Sequence, residues 1–522
     1  MNIKSDPSPG ADEVRATRFV LWLVLVLTGL RLAALMITPL ELYPDEAQYW
    51  LWSRTLDFGY FSKPPMIAWV IWLTTHLGGD TETFVRLSAP LFHAVATLAL
   101  FAVGKRLYGP WAGLGGAVVY ALMPGVQLSS GVISTDAPLL CFLALALLAY
   151  VALQGDDRRL RHAVGLGAAL GLAMLSKYAA LYAVIGIGLH LALSADARRA
   201  WTARSAAAAV VTFLLVLAPN LIWNANHGFA TVGHTAANAN LGGKLFNPGE
   251  MLTFLGEQFG VFGPLPFAVL VGGGLVLAAR RKLQPQDLLL ACWTLPPLLV
   301  VTAQAFLSRA NANWAASAYV AGSVLVAALL LRWRAKWWIV GGLVVQVAIA
   351  VLFLAWTANP QIADAMGRSN DIKRARGWEQ ISEAVIRRAE LEAVNGGITA
   401  IAVDDRFLFN TISYYGRAYF KRPDAAPLVI WLRQTHAGNQ AEATAPLTVK
   451  DGRRVLAVAL EDKATDRIIA DYTRAERIEI VSVLLSPKCR AKPNEKPERF
   501  DHRCRRRVAL ILGEDFRPVK RD

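Results

Sequence analysis

The chain has little charge and little cysteine for its length. Only 18% of its 522 residues are charged, against roughly 25% in soluble globular proteins, and only four are cysteine. So few cysteines exclude a disulfide-dense secreted scaffold. The hydrophobic share of 55% excludes an intrinsically disordered chain. A single water-soluble domain is disfavoured as well, because one core stops growing near about 250–300 residues.

The charge that is present is mostly basic, with a formal net charge of +15. A strongly basic chain is typical of proteins that bind nucleic acids. Here, however, most Lys and Arg residues sit in short clusters between apolar runs, so no nucleic-acid binding is expected. This distribution predicts a polytopic membrane protein that contacts membrane lipids.

Apolar runs of membrane-spanning length recur along the first two thirds of the chain. A helix needs about 20 apolar residues to cross a bilayer, and backbone groups in hydrocarbon must pair within their own segment. We therefore predict about eleven transmembrane helices, at 19–38, 84–104, 112–129, 136–154, 163–176, 178–194, 205–223, 252–279, 287–307, 314–331 and 337–357.

The loops between these runs alternate in positive charge. One set carries 17 Lys or Arg residues, beginning with Lys4, Arg15 and Arg18, and the other carries 5: Arg54, Lys63, Lys177, Lys244 and Arg309. Positive residues favour the cytoplasmic side. The pattern predicts a bacterial inner-membrane protein with a cytoplasmic N-terminus and, after an odd number of spans, a periplasmic C-terminal region.

The chain changes character after Asn359-Pro360, where charge becomes frequent and apolar runs shorten. We expect a multi-span domain over 1–359 and a soluble α/β domain over 360–522. The predicted helix of this domain covers 377–393, and the predicted strands are 398–403, 427–432, 454–460, 478–485 and 507–513. Cys489 and Cys504 lie here, as a disulfide or as two free thiols.

The first outer loop, 39–83, is unusually long and combines acids with aromatics. It contains PDEAQYW, with Asp45 and Glu46, and then GYFSKPP, with Lys63. One interpretation is purely structural: Asp45 caps a helix and the aromatics form an interfacial belt. The other is functional, because Lys63 is a cation in a loop set poor in positive charge and Asp136, in TDAPLL, is a second acid at the same boundary.

These motifs resemble the polyprenyl-phosphate-sugar-dependent glycosyltransferases of the GT-C fold. More narrowly, they resemble the bacterial membrane branch related to protein O-mannosyltransferases, aminoarabinose transferases and the galacturonosyltransferases of lipid A and lipopolysaccharide core. The resemblance covers roughly 20–360 in topology, with its sharp motifs at 43–65 and 134–139. It implies a membrane enzyme that uses a polyprenyl-phosphate sugar donor and a lipid or glycan acceptor.

The resemblance also implies roles for individual residues. Asp45 matches the acid that activates the acceptor, Lys63 matches the lysine that contacts the donor phosphate, and Asp136 matches a second acid near the site. In the aminoarabinose transferases a glutamate before this lysine helps bind a structural metal. Ser62 stands there in this chain, so that metal site is not carried over. A divalent metal stays an alternative that the sequence does not support, and no other cofactor is expected.

The chemistry agrees with these roles. An attacking hydroxyl needs a carboxylate to take its proton, and the leaving phosphate needs cations. Asp45 would be the base, and the other two catalytic candidates, Glu46 and Asp136, would position it or bind sugar hydroxyls. Further candidates are Lys177 and Arg309 as donor-phosphate contacts, and a substrate cavity lined by Tyr43, Tyr49, Tyr60, Tyr178 and Asn313. For Lys177 the alternative is snorkelling to the interface.

Three other functions stay open at this point. A transporter or flippase of lipid-linked sugars would place its charges near the bilayer midplane and show related halves, whereas the acids here cluster at one edge. A protein O-glycosyltransferase shares the fold but needs a peptide acceptor. A non-catalytic scaffold is the least favoured alternative, because it does not explain the long acidic and aromatic loop.

Overall fold

The computed structural model describes residues 10–155, 159–240, 245–280, 283–434, 437–460, 462–486, 489, 496, 500 and 503–519. Five of the basic residues on which the predicted orientation depends, Lys4, Arg158, Lys244, Arg281 and Lys282, lie outside these residues. The chain forms two compact units. The first comprises 1–37, 57–70 and 86–355, and the second comprises 38–56, 71–85 and 356–522.

The first unit is helical. Its α-helices are Ala11–Ile37, Ser88–Tyr108, Pro110–Ala121, Pro124–Gly131, Asp136–Gly155, Arg159–Ser176, Leu181–Leu193, Ala195–Arg199, Ala203–Asn226, Ala230–Ala237, Pro248–Val261, Pro264–Arg280, Pro285–Leu307 and Ala318–Arg332. Short 3₁₀ helices cover Tyr178–Ala180 and Ala312–Ala315. The helices Met66–Gly78, Glu82–Arg86 and Lys336–Ala358 contain residues of both units.

Among the described residues, six helices are long and apolar enough to cross a membrane, or up to eight if each of two bent pairs counts as one span. The predicted runs 178–194 and 314–331 correspond to the shorter apolar helices Tyr178–Leu193 and Ala318–Arg332. The prediction of a helical membrane protein is confirmed. The chain is a multi-pass membrane protein.

Two of the predicted spans are each formed by a bent pair of helices rather than by one straight helix. The run 112–129 bends by 56° before Pro124, and the run 252–279 bends by 118° before Pro264. Proline has no N–H to donate and disfavours a helical residue before it. At the sharper bend Gly263 has φ +107°, a value that glycine adopts without strain. The hydropathy of these two runs does not by itself predict either bend.

The second unit is built around a five-stranded sheet. Its strands are β1 (Ala400–Val403), β2 (Leu428–Ile430), β3 (Arg454–Ala459), β4 (Tyr472–Leu484) and β5 (Arg505–Phe516), in the order β2-β1-β3-β5-β4. Strand β1 is parallel to β2 and β3, while β5 is antiparallel to β3 and β4. All of β1 is buried because the sheet is covered on both faces.

Helices surround this sheet. They are Pro44–Ser53, Gln361–Ala365, Ser369–Ile372, Trp378–Val394, Arg406–Tyr415, Arg417–Phe420, Gln440–Thr444 and Asp462–Ile469, with a 3₁₀ turn at Lys373–Ala375. The predicted α/β character of this region is confirmed. Cys489 and Cys504 form a disulfide.

The Pro44–Ser53 helix belongs to the second unit, although the nearest strand of the sheet, β1, begins nearly 350 residues further along the chain. Trp50 meets the ring of Tyr414 edge-on at 4.9 Å, and its Nε1 donates to Asp80 Oδ1 at 2.7 Å. The hydroxyl of Tyr415 accepts the backbone N–H of Leu42 at 2.7 Å. Nothing in the local sequence pattern predicts this association, since it depends on contacts between distant segments.

Candidate active site

Lys63 lies at one end of a tight turn in the first unit. The Tyr60 N–H donates to the Lys63 carbonyl at 3.1 Å, and Thr231 Oγ1 donates to the Tyr60 carbonyl at 2.6 Å. Gly59 allows this turn to pass against Trp223, because a Cβ there would stand 2.3 Å from the indole ring. Burial raises the pKa of the Tyr60 hydroxyl to about 12, so this side chain is neutral at physiological pH.

A cavity of about 360 Å³ opens beside this turn. Its polar lining includes Lys63, Lys177 and Tyr178, and its apolar lining includes Leu181 and Val300. The structure therefore brings three of the predicted site residues to one cavity, with two ammonium groups and hydrocarbon side chains. Such a lining suits a ligand that has both an anionic group and an apolar hydrocarbon part.

Lys177 and Asp136 form an ion pair at this site. Lys177 Nζ lies 2.7 Å from Asp136 Oδ1, and Asn313 Nδ2 donates to Asp136 Oδ2 at 2.6 Å. The two charged side chains are only 18% and 10% exposed. Asp136 also opens the helix Asp136–Gly155, where a carboxylate is favoured by the helix dipole. Three predicted residues thus form one hydrogen-bonded group.

Tyr178 is held by two asparagines of the Ala203–Asn226 helix. Its hydroxyl donates to Asn220 Oδ1 at 2.9 Å and accepts Asn224 Nδ2 at 3.1 Å. Asn220 Nδ2 in turn donates to the Phe58 carbonyl at 2.6 Å, which ties the helix to the turn that carries Lys63. Sequence reasoning misses the buried amides of Asn220 and Asn224, because Asn220 lies inside the apolar run 205–223 and Asn224 directly follows it.

Asp45 is found in the second unit, where two arginines face it. Arg374 Nη2 lies 3.4 Å from Asp45 Oδ2, and Arg406 Nη2 lies 3.8 Å from Asp45 Oδ1. The Asp45 side chain is 40% exposed. It is thus accessible to a substrate while two cations face it. Neither arginine carries a sequence signal, since each is one of 54 basic residues.

The neighbours of Asp45 on its helix are more buried. Glu46 is fully buried, and its Oε2 accepts the Tyr43 N–H at 2.9 Å, an arrangement typical of a helix cap. Tyr49 is buried against the ring of Trp52 at 5.5 Å. This geometry favours a structural role for Glu46 and Tyr49. Their predicted part in catalysis and in the cavity, like that of Tyr43, stays a prediction.

Arg309 is exposed, and its carbonyl accepts Gln304 Nε2 at 3.4 Å. Gln304 lines the cavity, so Arg309 is joined to the cavity wall through its backbone. Its predicted contact with a donor phosphate stays a prediction. Within the part of the chain that the structure describes, no group of three or more His, Cys, Asp or Glu side chains is placed to hold a metal ion.

Known proteins resemble this chain in sequence. Residues 62–223 match the dolichyl-phosphate-mannose-protein mannosyltransferase family. The lipid A galacturonosyltransferase RgtD of Rhizobium johnstonii is 41% identical over 319 residues, which are 60% of this chain and 66% of that protein. The match thus spans just under two thirds of the length of this relative.

The fold is shared over nearly the whole chain with ArnT from Cupriavidus metallidurans. Its apo structure has a TM-score of 0.64 and 16% identity, covering 95% of this chain and 98% of that one. Its structure bound to undecaprenyl phosphate has a TM-score of 0.61 with the same coverage. The chain therefore has the ArnT-like GT-C fold, as the sequence predicted, and over residues 62–223 it is similar in sequence to a family of membrane glycosyltransferases.

Proposed function

We propose that the chain transfers a sugar from a polyprenyl-phosphate donor to lipid A, core lipopolysaccharide or another envelope glycan. The reaction takes place at the periplasmic face of the bacterial inner membrane. RgtD, named as a lipid A galacturonosyltransferase, supports the lipid acceptor. ArnT, solved with undecaprenyl phosphate, supports the donor class. The alternation of basic loops supports the orientation.

The observation that carries the proposal is the cavity beside the Lys63 turn. Lys63 and Lys177 supply positive charge to its wall, and Leu181, Val300 and Val301 supply hydrocarbon. A polyprenyl phosphate needs this combination, because its phosphate requires cations and its isoprenoid chain requires an apolar surface. Lys63 and Lys177 are both candidates for the phosphate contact, and Lys177 is in addition paired with Asp136.

The reaction is a single displacement. A hydroxyl oxygen of the acceptor forms a bond to the anomeric carbon of the donor sugar, and its proton passes to the Asp45 carboxylate. The bond between the anomeric carbon and the phosphate oxygen breaks, and its electron pair leaves on polyprenyl phosphate. Lys63 stabilises that leaving group, which needs no strong general acid because a phosphate already carries charge well.

The test uses the purified full-length protein in lipid vesicles with a polyprenyl-phosphate sugar and lipid A. Asp45→Asn should lower kcat by about 10²–10⁴, the usual contribution of one positioned base. Lys63→Met should raise the KM for the donor and lower kcat. Glu383→Gln and Lys421→Met make the same chemical changes at exposed positions of the second unit and should leave the rate unchanged.

Full activity of Asp45→Asn, in a variant that folds normally, would refute the mechanism. The acceptor is identified by mass spectrometry of lipid A, core oligosaccharide and exported glycans from cells with and without the gene. A mass increase of one sugar on a protein fraction instead would favour a protein acceptor, the activity in the name of the matched family.

A further inference from the structure

Two arginines of the second unit sit on one aromatic ring next to Asp45. The guanidinium carbon of Arg374 lies 5.5 Å from the ring centroid of Phe407, and that of Arg406 lies 5.0 Å from it. Contact with an aromatic face restricts a guanidinium group at little cost in hydration. The two cations are therefore held near the carboxylate by their contacts with the same ring.

The local backbone explains why Arg406 and Phe407 are fixed in place. Strand β1 ends at Val403, and Asp405 caps the helix Arg406–Tyr415 by accepting the Phe407 N–H at 2.7 Å. On the other side, Gln48 Oε1 accepts Arg406 Nη1 at 3.5 Å. The arginines thus stand at the carboxyl end of a parallel strand, the edge at which open α/β sheets commonly bind ligands.

Within the part of the chain that the structure describes, two arginines share the single carboxylate of Asp45, which leaves a net positive charge. Two guanidinium groups face one carboxylate at 3.4 and 3.8 Å, longer than the 2.7–2.9 Å of a tight charge-assisted bond. Arg376–Asp364 at 2.8 Å and Arg454–Glu392 at 2.7 Å in the same unit are tight, and their carboxylates are almost fully buried. Arg374 and Arg406 are instead 52% and 35% exposed.

We infer that Arg374 and Arg406 bind an oxyanion of the substrate, a phosphate or a carboxylate, and so hold the substrate next to Asp45. The inference rests on the proposed function, because Asp45 is taken there as the base. Guanidinium groups recognise planar carboxylates and phosphates through paired N–H donors. The bound anion replaces the loose contacts to Asp45 and leaves its carboxylate available to accept a proton.

The arrangement also assigns a function to the second unit. Its sheet edge supplies the anion-binding groups, and its Pro44–Ser53 helix supplies the carboxylate, so both come from the same compact unit. Substrate selection would then depend on residues far along the chain from the motifs of the first outer loop. The anion belongs either to the acceptor or to the donor, and the kinetics separate these sources.

The experiment measures KM for donor and acceptor separately in Arg374→Gln, Arg406→Gln and the double variant. Each single change should raise one of the two KM values by about 10-fold to 100-fold, the loss expected for one hydrogen bond to a charged group, with a smaller change in kcat. If the acceptor KM rises, the bound anion belongs to the acceptor. If the donor KM rises, the bound anion belongs to the donor. Arg→Lys at either position should recover part of the loss.

Arg422→Gln is the matched control. Arg422 also lies over an aromatic ring, that of Tyr419 at 5.1 Å, and is paired with carboxylates, but it does not contact Asp45. Its loss should leave both KM values unchanged. Unchanged KM values in the double Arg374→Gln and Arg406→Gln variant, with only kcat reduced, would overturn the inference, because the arginines would then only position Asp45.

A binding measurement separates this inference from the proposed function. Inorganic phosphate is titrated into the full-length Lys63→Met protein, which removes the proposed donor-phosphate contact, and into the same protein with both arginines changed to Gln. Weaker binding in the second protein by at least about 10-fold supports the anion site even if no sugar transfer is found. Equal binding in the two proteins overturns the anion site while the transferase test stands independently.

Discussion

Replacing Asp136 by alanine should destabilise the first unit strongly, because it leaves a poorly solvated ammonium group without its carboxylate. Asp136 receives Lys177 at 2.7 Å and Asn313 at 2.6 Å. A hydrogen bond to a charged group contributes about 1.5–3 kcal/mol, and breaking a buried ion pair costs about 3–5 kcal/mol. Since Lys177 is still 18% exposed, we expect a loss near the lower limit, about 3 kcal/mol.

Lys177→Met should cost less, about 2 kcal/mol. Asp136 would keep the Asn313 amide and the N-terminus of its own helix, both of which stabilise a carboxylate. The double variant Asp136→Ala with Lys177→Met removes both charges, so its loss should be smaller than the sum of the single losses. The difference measures the coupling, expected at about 1.5 kcal/mol or more.

The assay is a denaturant titration of the protein in detergent that gives the free energy of unfolding for all four members of the cycle. The pair Asp196 and Arg199 is the control, because it joins at 3.1 Å but is 85% and 79% exposed. Its coupling should be below about 0.5 kcal/mol. Additive losses for Asp136 and Lys177 would refute the reasoning, and the donor KM of Lys177→Met separately tests its predicted phosphate contact.

Two further changes test other parts of the chain. Gly59→Ala places a Cβ 2.3 Å from the ring of Trp223 and should cost about 1–3 kcal/mol and weaken donor binding, whereas Gly260→Ala meets nothing within 4 Å. Equal stability of these two variants would contradict the close packing of the Lys63 turn. Cys489→Ser with Cys504→Ser opens a loop whose ends are 15 residues apart and should cost about 3 kcal/mol, which unfolding curves without reductant report. Identical curves for this variant and the parent would show that the disulfide adds no stability.

Most elements of secondary structure follow from the sequence alone. Apolar runs predict helices where lipid surrounds them, and the helix 377–393 and the strand 454–460 appear as Trp378–Val394 and Arg454–Ala459. These predictions succeed because hydropathy and its period are local properties. The bends before Pro124 and Pro264 were also encoded locally, but in proline and glycine rather than in hydropathy.

The candidate site was predicted only in part. The motifs indicate Asp45, Lys63 and Asp136 as residue types suited to the chemistry, and Lys177 as a cation near the membrane edge. They do not indicate that Lys177 is paired with Asp136, 41 residues away. Whether Asp45 and Lys63 act on one substrate stays a prediction.

The sequence by itself determined the membrane character of the chain, its helices and strands, and the acidic and basic residues suited to sugar transfer. Tertiary structure alone decided the partners of these residues. It joined Asp45 to Arg374, 329 residues further on, and Asp136 to Asn313, 177 residues further on. Hydropathy is a sum over neighbours in the chain, whereas an ion pair depends on where folding brings two distant side chains.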